Sequence, residues 1–296
     1  METMRCAYAL VLVCLLLGGC HGATGAASNP PADYIENRGS DTLVNLALAW
    51  AEAYQELDPG VRVSVTGGGS GVGLTALANG SIDLANASRP ITPDEVEQAH
   101  AHGVDPVEHI VARDAIAVIV HPGNPVSQLT LAQLSDIYSG KINTWSEVGG
   151  DERPIVRLSR ETNSGTHVYF LQAVVRLGQP GNTTLFSTDT LLLPSSEGIV
   201  NEIRDNPNAI GYDGLGYVPE DLKVIAIAAS ADGPYVLPSA ATVDDGTYPV
   251  SRDLYMYTAG QPTGALAAYL AWILGPDAQA VVADLGFVPI AAGPES

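Results

Sequence analysis

Four short segments, distant from one another in the chain, carry the same chemistry: Gly39-Ser40-Asp41-Thr42, Gly67-Gly68-Gly69-Ser70-Gly71, Ala87-Ser88-Arg89-Pro90 and Arg160-Glu161-Thr162-Asn163-Ser164-Gly165-Thr166. Three of them stand between an extended or loop stretch and a run with helical spacing. The first backbone N–H groups of a helix have no intrahelical partner and point outward, where they hold anions. Ser and Thr hydroxyls add donors, and glycine lets a small ligand approach the main chain. Arg160 adds a forked cation suited to an oxyanion. Together these residues describe a donor-rich cage for a tetrahedral anion, with Ser40, Asp41, Thr42, Ser70, Ser88, Arg89, Arg160, Ser164, Gly165 and Thr166 as its candidates.

Taken one at a time, the segments have plainer readings. Thr66 to Gly71 lacks the Lys of a nucleotide P-loop and the spacing of a dinucleotide fingerprint, so alone it is a flexible turn or an anion cradle. Ser40, Asp41 and Thr42 alone cap a helix. Ser88-Arg89-Pro90 alone is a strand end with a surface Arg. Arg160 followed by Ser164-Gly165-Thr166 is stronger, since a loop Arg and three donors open one helix; its plainer reading is a capped helix with a solvated Arg. Nucleophilic catalysis finds little support: no Ser has the G-x-S-x-G spacing, and the nearness of Ser164 and His167 in sequence does not make them a pair. His100, His102 and His109 lack the H-E-x-x-H arrangement and are expected at the surface, so neither a metal site nor a cofactor is expected. Trp145, Tyr212, Tyr217, Tyr255 and Tyr257 suit core or hinge packing.

The elements that must position the cage alternate. Tyr34–Asn37 is a strand, followed by a helix capped by Ser40 or Asp41 with its apolar face at Leu43, Leu46, Ala47, Trp50 and Tyr54. Arg62–Thr66 and Asp83–Ala87 are strands, and Val72–Asn79 and Pro93–Ala101 are helices. Val107–Val120 is a long β-rich run whose apolar end suits a central parallel strand. Leu131–Tyr138, Gly165–Leu177, Ser195–Asp205, Thr263–Leu274 and Asp277–Leu285 follow as helices. Ile155–Ser159, Ile210–Tyr212, Leu222–Ile227 and Leu254–Thr258 are strands. This pattern predicts an α/β fold with a mostly parallel sheet, in which ligands bind beyond the carboxyl ends of strands.

The chain has 296 residues and a formal charge of −20, and its only lysines are Lys141 and Lys223. Nucleic acid is excluded as a partner, because phosphate backbones need clustered cations. A small anion is not excluded, since local dipoles and one buried Arg outweigh screened, distant carboxylates. Ala7 to Gly19 is an almost unbroken apolar run, the length of a signal-peptide core and too short for a membrane span. Glu2 offsets Arg5 in front of it, a conflict that initiation at Met4 removes. The run ends in Leu17-Gly18-Gly19-Cys20, which resembles a bacterial lipoprotein lipobox and implies cleavage after residue 19 and lipidation of Cys20. Cys6 and Cys14 lie inside the signal segment, so the mature chain keeps no pair for a disulfide. Residues 20–32 are rich in Gly, Ala, Ser, Asn and Pro and suit a flexible tether. The length beyond it suits two domains.

Further stretches then come into play: Ile137-Tyr138-Ser139-Gly140-Lys141-Ile142-Asn143-Thr144-Trp145, Ala209-Ile210-Gly211-Tyr212, Tyr248-Pro249-Val250-Ser251-Arg252 and Gly286-Phe287-Val288-Pro289. With the cage segments, they make the mature chain resemble the phosphate-binding component of bacterial phosphate-specific ABC transporters, a periplasmic-binding-protein family. The resemblance implies a two-lobed periplasmic-binding-protein fold of type II, with mixed sheets flanked by helices and the ligand in the inter-lobe cleft. Residues 33–115 and 248–291 would make one lobe and 116–247 the other, with crossings near Asp114–Val120 and Tyr248–Tyr257. Asp41, Thr42, Ser70, Ser88, Arg160, Ser164, Gly165 and Thr166 match the positions that hold the ion. Many relatives carry Asp directly after the Ser that matches Ser88, as acceptor for the proton of hydrogen phosphate; here that position is Arg89. Asp41 is expected to take over as acceptor, with Glu161 second, and Arg89 either joins the ligand set or pairs with Asp41. The expected protein is a monomeric, lipid-anchored, extracytoplasmic phosphate binder that serves an ABC permease and catalyses nothing. The competing readings are a binder of sulfate or molybdate, a phosphate sensor or adhesion protein, and a phosphate-ester hydrolase.

Overall fold

The computed structural model describes residues 33–290; the expected signal segment 1–19, the lipidated Cys20 and the tether 20–32 lie outside the described residues. In chain order the elements are β1 (Asp33–Gly39), α1 (Val44–Leu57), β2 (Val61–Thr66), α2 (Ser70–Ala78), β3 (Leu84–Ala87), α3 (Pro93–Ala101) and β4 (Pro106–Val120). Next come β5 (Gln128–Thr130), α4 (Leu131–Tyr138), β6 (Val156–Arg160), α5 (Gly165–Phe170), β7 (Leu191–Leu193), α6 (Ser196–Asp205) and β8 (Ala209–Gly214). The chain closes with β9 (Lys223–Val224), β10 (Ala226–Ala228), α7 (Ala240–Asp244), β11 (Ser251–Ala259), α8 (Gly264–Ile273) and α9 (Pro276–Asp284).

A nine-stranded sheet runs in the order β2-β1-β3-β11-β4-β8-β6-β7, with β9 also on β4. β4 joins its two halves. The amino-terminal part of β4 pairs with β11 as far as Ala115↔Ser251, and Ile116 to Val120 pairs with β8. Both pairings are antiparallel, which corrects the expectation of a central parallel strand. Burial on both faces dictates an apolar run but not the direction of its neighbours, which come from distant parts of the chain.

Each half has its own core. Ile35, Leu46, Trp50, Leu254, Met256, Tyr269 and Phe287 pack on one side of the crossing. Ile116, Val118, Tyr138, Trp145, Phe170, Tyr212 and Val250 pack on the other. α1 buries Leu46, Ala47, Trp50, Ala51 and Tyr54, one stripe at helical spacing, and the Trp50 indole N–H donates to the Ala278 carbonyl (2.9 Å), tying α1 to α9. Phe170 stacks on Tyr212 with ring centroids 3.6 Å apart, so Tyr212 and Trp145 are core residues as expected.

Two local departures matter. Neither Ser40 nor Asp41 caps α1; the chain passes through a 3₁₀ turn, Asp41–Leu43, and both side chains are engaged elsewhere. The helix expected over 165–177 is α-helical only to Phe170 and continues as a π-turn, Leu171–Val175. The Ser135 hydroxyl takes the Val175 carbonyl (2.7 Å), and Val174 and Val175 reach the core from the widened turn.

Candidate anion-binding site

The four Ser/Thr/Gly segments follow the carboxyl ends of four strands. β2, β1 and β3 are parallel neighbours, so Gly67, Ser40 and Ser88 emerge along one sheet edge. Arg160 ends β6, in the other half of the sheet. Hydrogen bonds then draw the two sets together. The Ser40 hydroxyl donates to Ser88 Oγ (2.9 Å), which lies 3.3 Å from Ser70 Oγ. Thr42 Oγ1 and Thr166 Oγ1 meet across the halves at 2.9 Å. All five of these residues are buried.

Glycine is required at two places. Gly69 sits at φ +94°, and a Cβ there would lie 2.7 Å from the Asn163 carbonyl oxygen. That carbonyl accepts from the Gly71 N–H (3.2 Å), and the Asn163 side-chain amide donates to the Gly68 carbonyl (2.9 Å). At Gly165, a methyl group would collide with the hydroxyls of Ser70 and Ser88. Ser164 caps α5, its Oγ accepting from the Thr166 N–H (3.2 Å).

The charges are arranged as two arginine–aspartate pairs. Arg160 is buried; its guanidinium donates to Asp41 Oδ2 (2.6 Å), to Ser196 Oγ (3.0 Å) and to the Pro194 carbonyl (2.8 Å), and it lies 4.0 Å from buried Asp213. The other oxygen of Asp41 accepts from the Gly68 N–H (2.9 Å). Arg252, also buried, binds Asp114 (2.9 Å), the Ser88 carbonyl (3.0 Å), Thr166 Oγ1 (3.0 Å) and Thr42 Oγ1 (3.3 Å). Burial pushes the Asp114 carboxyl up to about 6 although Arg252 opposes it, and burial raises Asp213 against the pull of Arg160. Two guanidinium groups and a cluster of hydroxyls are the groups an oxyanion needs for charge neutralisation and hydrogen-bond donation.

Of the residues expected from the sequence, Ser40, Asp41, Thr42, Ser70, Ser88, Arg160, Ser164, Gly165 and Thr166 come together. Arg89 does not join them. Its guanidinium holds both oxygens of Glu95 (2.7 and 2.6 Å) and donates to the Pro90 carbonyl (2.9 Å), so it pairs with Glu95 and not with Asp41. The reason is local: Glu95 closes the capping box of α3 with Thr92 and is largely buried, so it needs a cation. Burial alone would raise Glu95, but hydrogen bonds from Arg89 and Thr92 hold it below its ordinary value. Glu161 is exposed. His167 turns from Ser164 and meets Ser159 Oγ through Nδ1 (3.0 Å). Sequence reasoning missed Arg252, Asp114, Asp213 and Ser196. It also set Tyr217 aside as packing, yet its hydroxyl donates to the Asp41 carbonyl (2.7 Å). A signal existed for one of them: Asp114 is the last charged residue before the apolar run Ala115–Val120 of β4, where a carboxylate drawn into the core demands a buried partner.

Comparison with known proteins shows the family and the fold. A profile of the PBP superfamily domain matches residues 24–277. The phosphate-binding protein PstS of Pseudomonas aeruginosa is 31% identical over 287 residues, covering 91% of this chain and 85% of that protein. The phosphate-binding protein PstS of Bacillus subtilis (strain 168) is 32% identical over 253 residues, 85% of this chain and 79% of that protein. A crystal structure from Clostridium perfringens with bound phosphate aligns with a TM-score of 0.78 at 29% identity, covering 88% of this chain and all of that one. The chain therefore belongs to the PBP superfamily and, within it, to the phosphate-binding proteins of bacterial phosphate-specific ABC transporters, with their two-lobed fold.

Proposed function

We propose that this chain captures inorganic phosphate outside the cytoplasmic membrane and delivers it to an ABC permease. The observation that carries the reading is the Arg160–Asp41 pair across the halves of the sheet, together with the buried Ser40–Ser88 and Thr42–Thr166 hydroxyl pairs at the same strand ends. Asp41 serves as acceptor for the proton of hydrogen phosphate, because it is the carboxylate bonded to Arg160 and is partly open, whereas Asp114 and Asp213 are sealed and Glu161 is exposed. Sulfate, which has no proton to give, meets only repulsion there. Each hydrogen bond to the charged ligand contributes roughly 1.5–3 kcal/mol. After desolvation and ordering, about 8–10 kcal/mol remains, which is micromolar to sub-micromolar affinity.

The same reading assigns residues 33–115 and 248–291 to one lobe and 116–247 to the other, supported by the change of β4's partner between Ala115 and Ile116. Closure of the lobes is what the permease reads. The chain acts as a monomer without catalysing a reaction, held to the membrane through lipid at Cys20; the support for the anchor is the apolar run ending in Gly19-Cys20.

The test is calorimetric titration of the purified, ligand-stripped protein with phosphate and then sulfate. Tight phosphate binding that excess sulfate does not displace is expected, with Asp41→Asn losing that preference. Equal or preferred sulfate binding overturns phosphate as the ligand, binding of neither overturns the transport reading, and an unchanged preference in Asp41→Asn overturns the acceptor.

A further inference from the structure

Arg252, named from the sequence only within the Tyr248–Arg252 stretch and not as a site residue, touches three of the expected cage residues, Thr42, Ser88 and Thr166. It sits on β11, next to the point where β4 changes partner. One terminal nitrogen, Nη2, faces three acceptors with two protons, Thr42 Oγ1 (3.3 Å), Thr166 Oγ1 (3.0 Å) and Asp114 Oδ2 (2.9 Å), so one of these protons is shared between two acceptors. The other, Nη1, donates to the Ser88 carbonyl (3.0 Å). Nε reaches Asp114 at 3.3 Å, and the guanidinium carbon lies 5.5 Å from the centre of the Tyr169 ring. The Tyr169 hydroxyl in turn donates to the Ser251 carbonyl (2.6 Å). The guanidinium is thus fixed by a carboxylate, an aromatic face and a main-chain carbonyl, with two threonine hydroxyls against its remaining edge.

A threonine hydroxyl has one proton and two acceptor lone pairs. Arg252 has protons only, so each hydroxyl must present it a lone pair. Thr42 and Thr166 also face each other at 2.9 Å, which uses one of their two protons. The remaining proton is repelled by the guanidinium and is left for an anion. Arg252 therefore sets the direction in which this pair donates, and adds a second positive charge behind it.

We propose that Arg252, held by Asp114, is a positioning residue of the anion site that orients the Thr42–Thr166 hydroxyl pair so that its one free proton is donated to the bound oxyanion. The inference rests on the reading of the cage as a phosphate site and adds to it a residue that acts through two others. It gives Asp114 a purpose as well: without the carboxylate, the guanidinium is free to swing out of the plane that faces both hydroxyls.

The test uses the full chain and inorganic phosphate, by calorimetry. Removing Arg252 alone strands a buried carboxylate, so the main variant is the neutral pair Asp114→Asn with Arg252→Gln, which leaves no unpaired charge. It is expected to fold, and to bind phosphate at least about 30-fold more weakly than wild type. Arg252→Lys keeps the charge beside Asp114 without the fork, and an intermediate loss is expected. The discriminating readout is coupling. Thr166→Val is expected to weaken binding about tenfold in the wild-type background and less than about twofold in the neutral pair or in Arg252→Lys. A merely structural arginine predicts the same Thr166→Val loss in every background, and that result overturns the proposal. So does wild-type affinity in either Arg252 variant. A wild-type protein that binds no phosphate overturns the function reading itself and is distinguished by that alone.

Discussion

The two arginine–aspartate pairs of the cage have the same chemistry and opposite settings. Arg160–Asp41 spans the halves of the sheet: the arginine is sealed, while the Asp41 side chain is 23% exposed. Arg252–Asp114 lies within the crossing strands, and its side chains are 3% and 0% exposed. A pair with one wet partner exchanges bonds readily, because water satisfies the carboxylate while the guanidinium is engaged elsewhere. A sealed pair has no such alternative, and breaking it leaves a bare buried charge. The first pair suits a ligand that comes and goes, and the second suits a fixed reference around which the lobes move. Position relative to solvent, not residue type, separates the two roles.

Four measurements break or sharpen this contrast. The largest effect is expected from Arg160→Met, which leaves Asp41 and Asp213 facing the anion without their cation; a loss of phosphate affinity of about a thousandfold, ~4 kcal/mol, should appear by calorimetry. The second concerns the sealed pair and pH. Burial raises Asp114 from its ordinary 3.8 to about 6, so between those values the native state holds a proton that the unfolded chain has released. Stability contributed by this group is fully present below about pH 4, declines as pH rises towards 6, and is flat above. Urea midpoints of wild type and Asp114→Asn should therefore diverge across that window, by up to ~3 kcal/mol against wild type. A gap that does not change with pH would remove the sealed pair from the contrast. Third, Gly165→Ala forces a methyl group onto the Ser70 and Ser88 hydroxyls, and phosphate affinity should fall about 10- to 100-fold. Smallest is Arg89→Gln. Its partner Glu95 belongs to α3, so the variant should lose about 1–2 kcal/mol of stability by denaturant unfolding while binding phosphate within about threefold of wild type.

The halves of the cage were not equally legible in the sequence. Ser40 to Thr42, the glycine run and Arg160 to Thr166 announce themselves because strand ends, glycines and hydroxyls before helices are local patterns. The alternation of strands and helices was visible for the same reason. The direction of β4 was not, since two-sided burial fixes composition and leaves orientation to partners far away in the chain. Arg252 was equally hidden. Its partners Asp114, Thr42, Thr166 and Ser88 are 138, 210, 86 and 164 residues away, so no spacing rule reaches them. Arg89 shows the converse. A cation beside a cage serine invites a ligand role, but Glu95, six residues on, claims it through the capping box of α3.

The clasp between Asn163 and the glycine loop has a kinetic consequence. It joins the two sides through uncharged groups, the Asn163 carbonyl to the Gly71 N–H and the Asn163 amide to the Gly68 carbonyl. On the proposed reading, with the ion held between the lobes, these bonds do not involve the anion, so they hold the two sides together whether or not the ion is bound, and they must break before it can leave. They act as a door latch: the ion's residence time is set partly by how often the latch opens, independently of how strongly the arginines hold the ion. On that reading capture and release are adjustable at different residues, and a permease that separated Asn163 from the glycine loop would free the ion without competing for it.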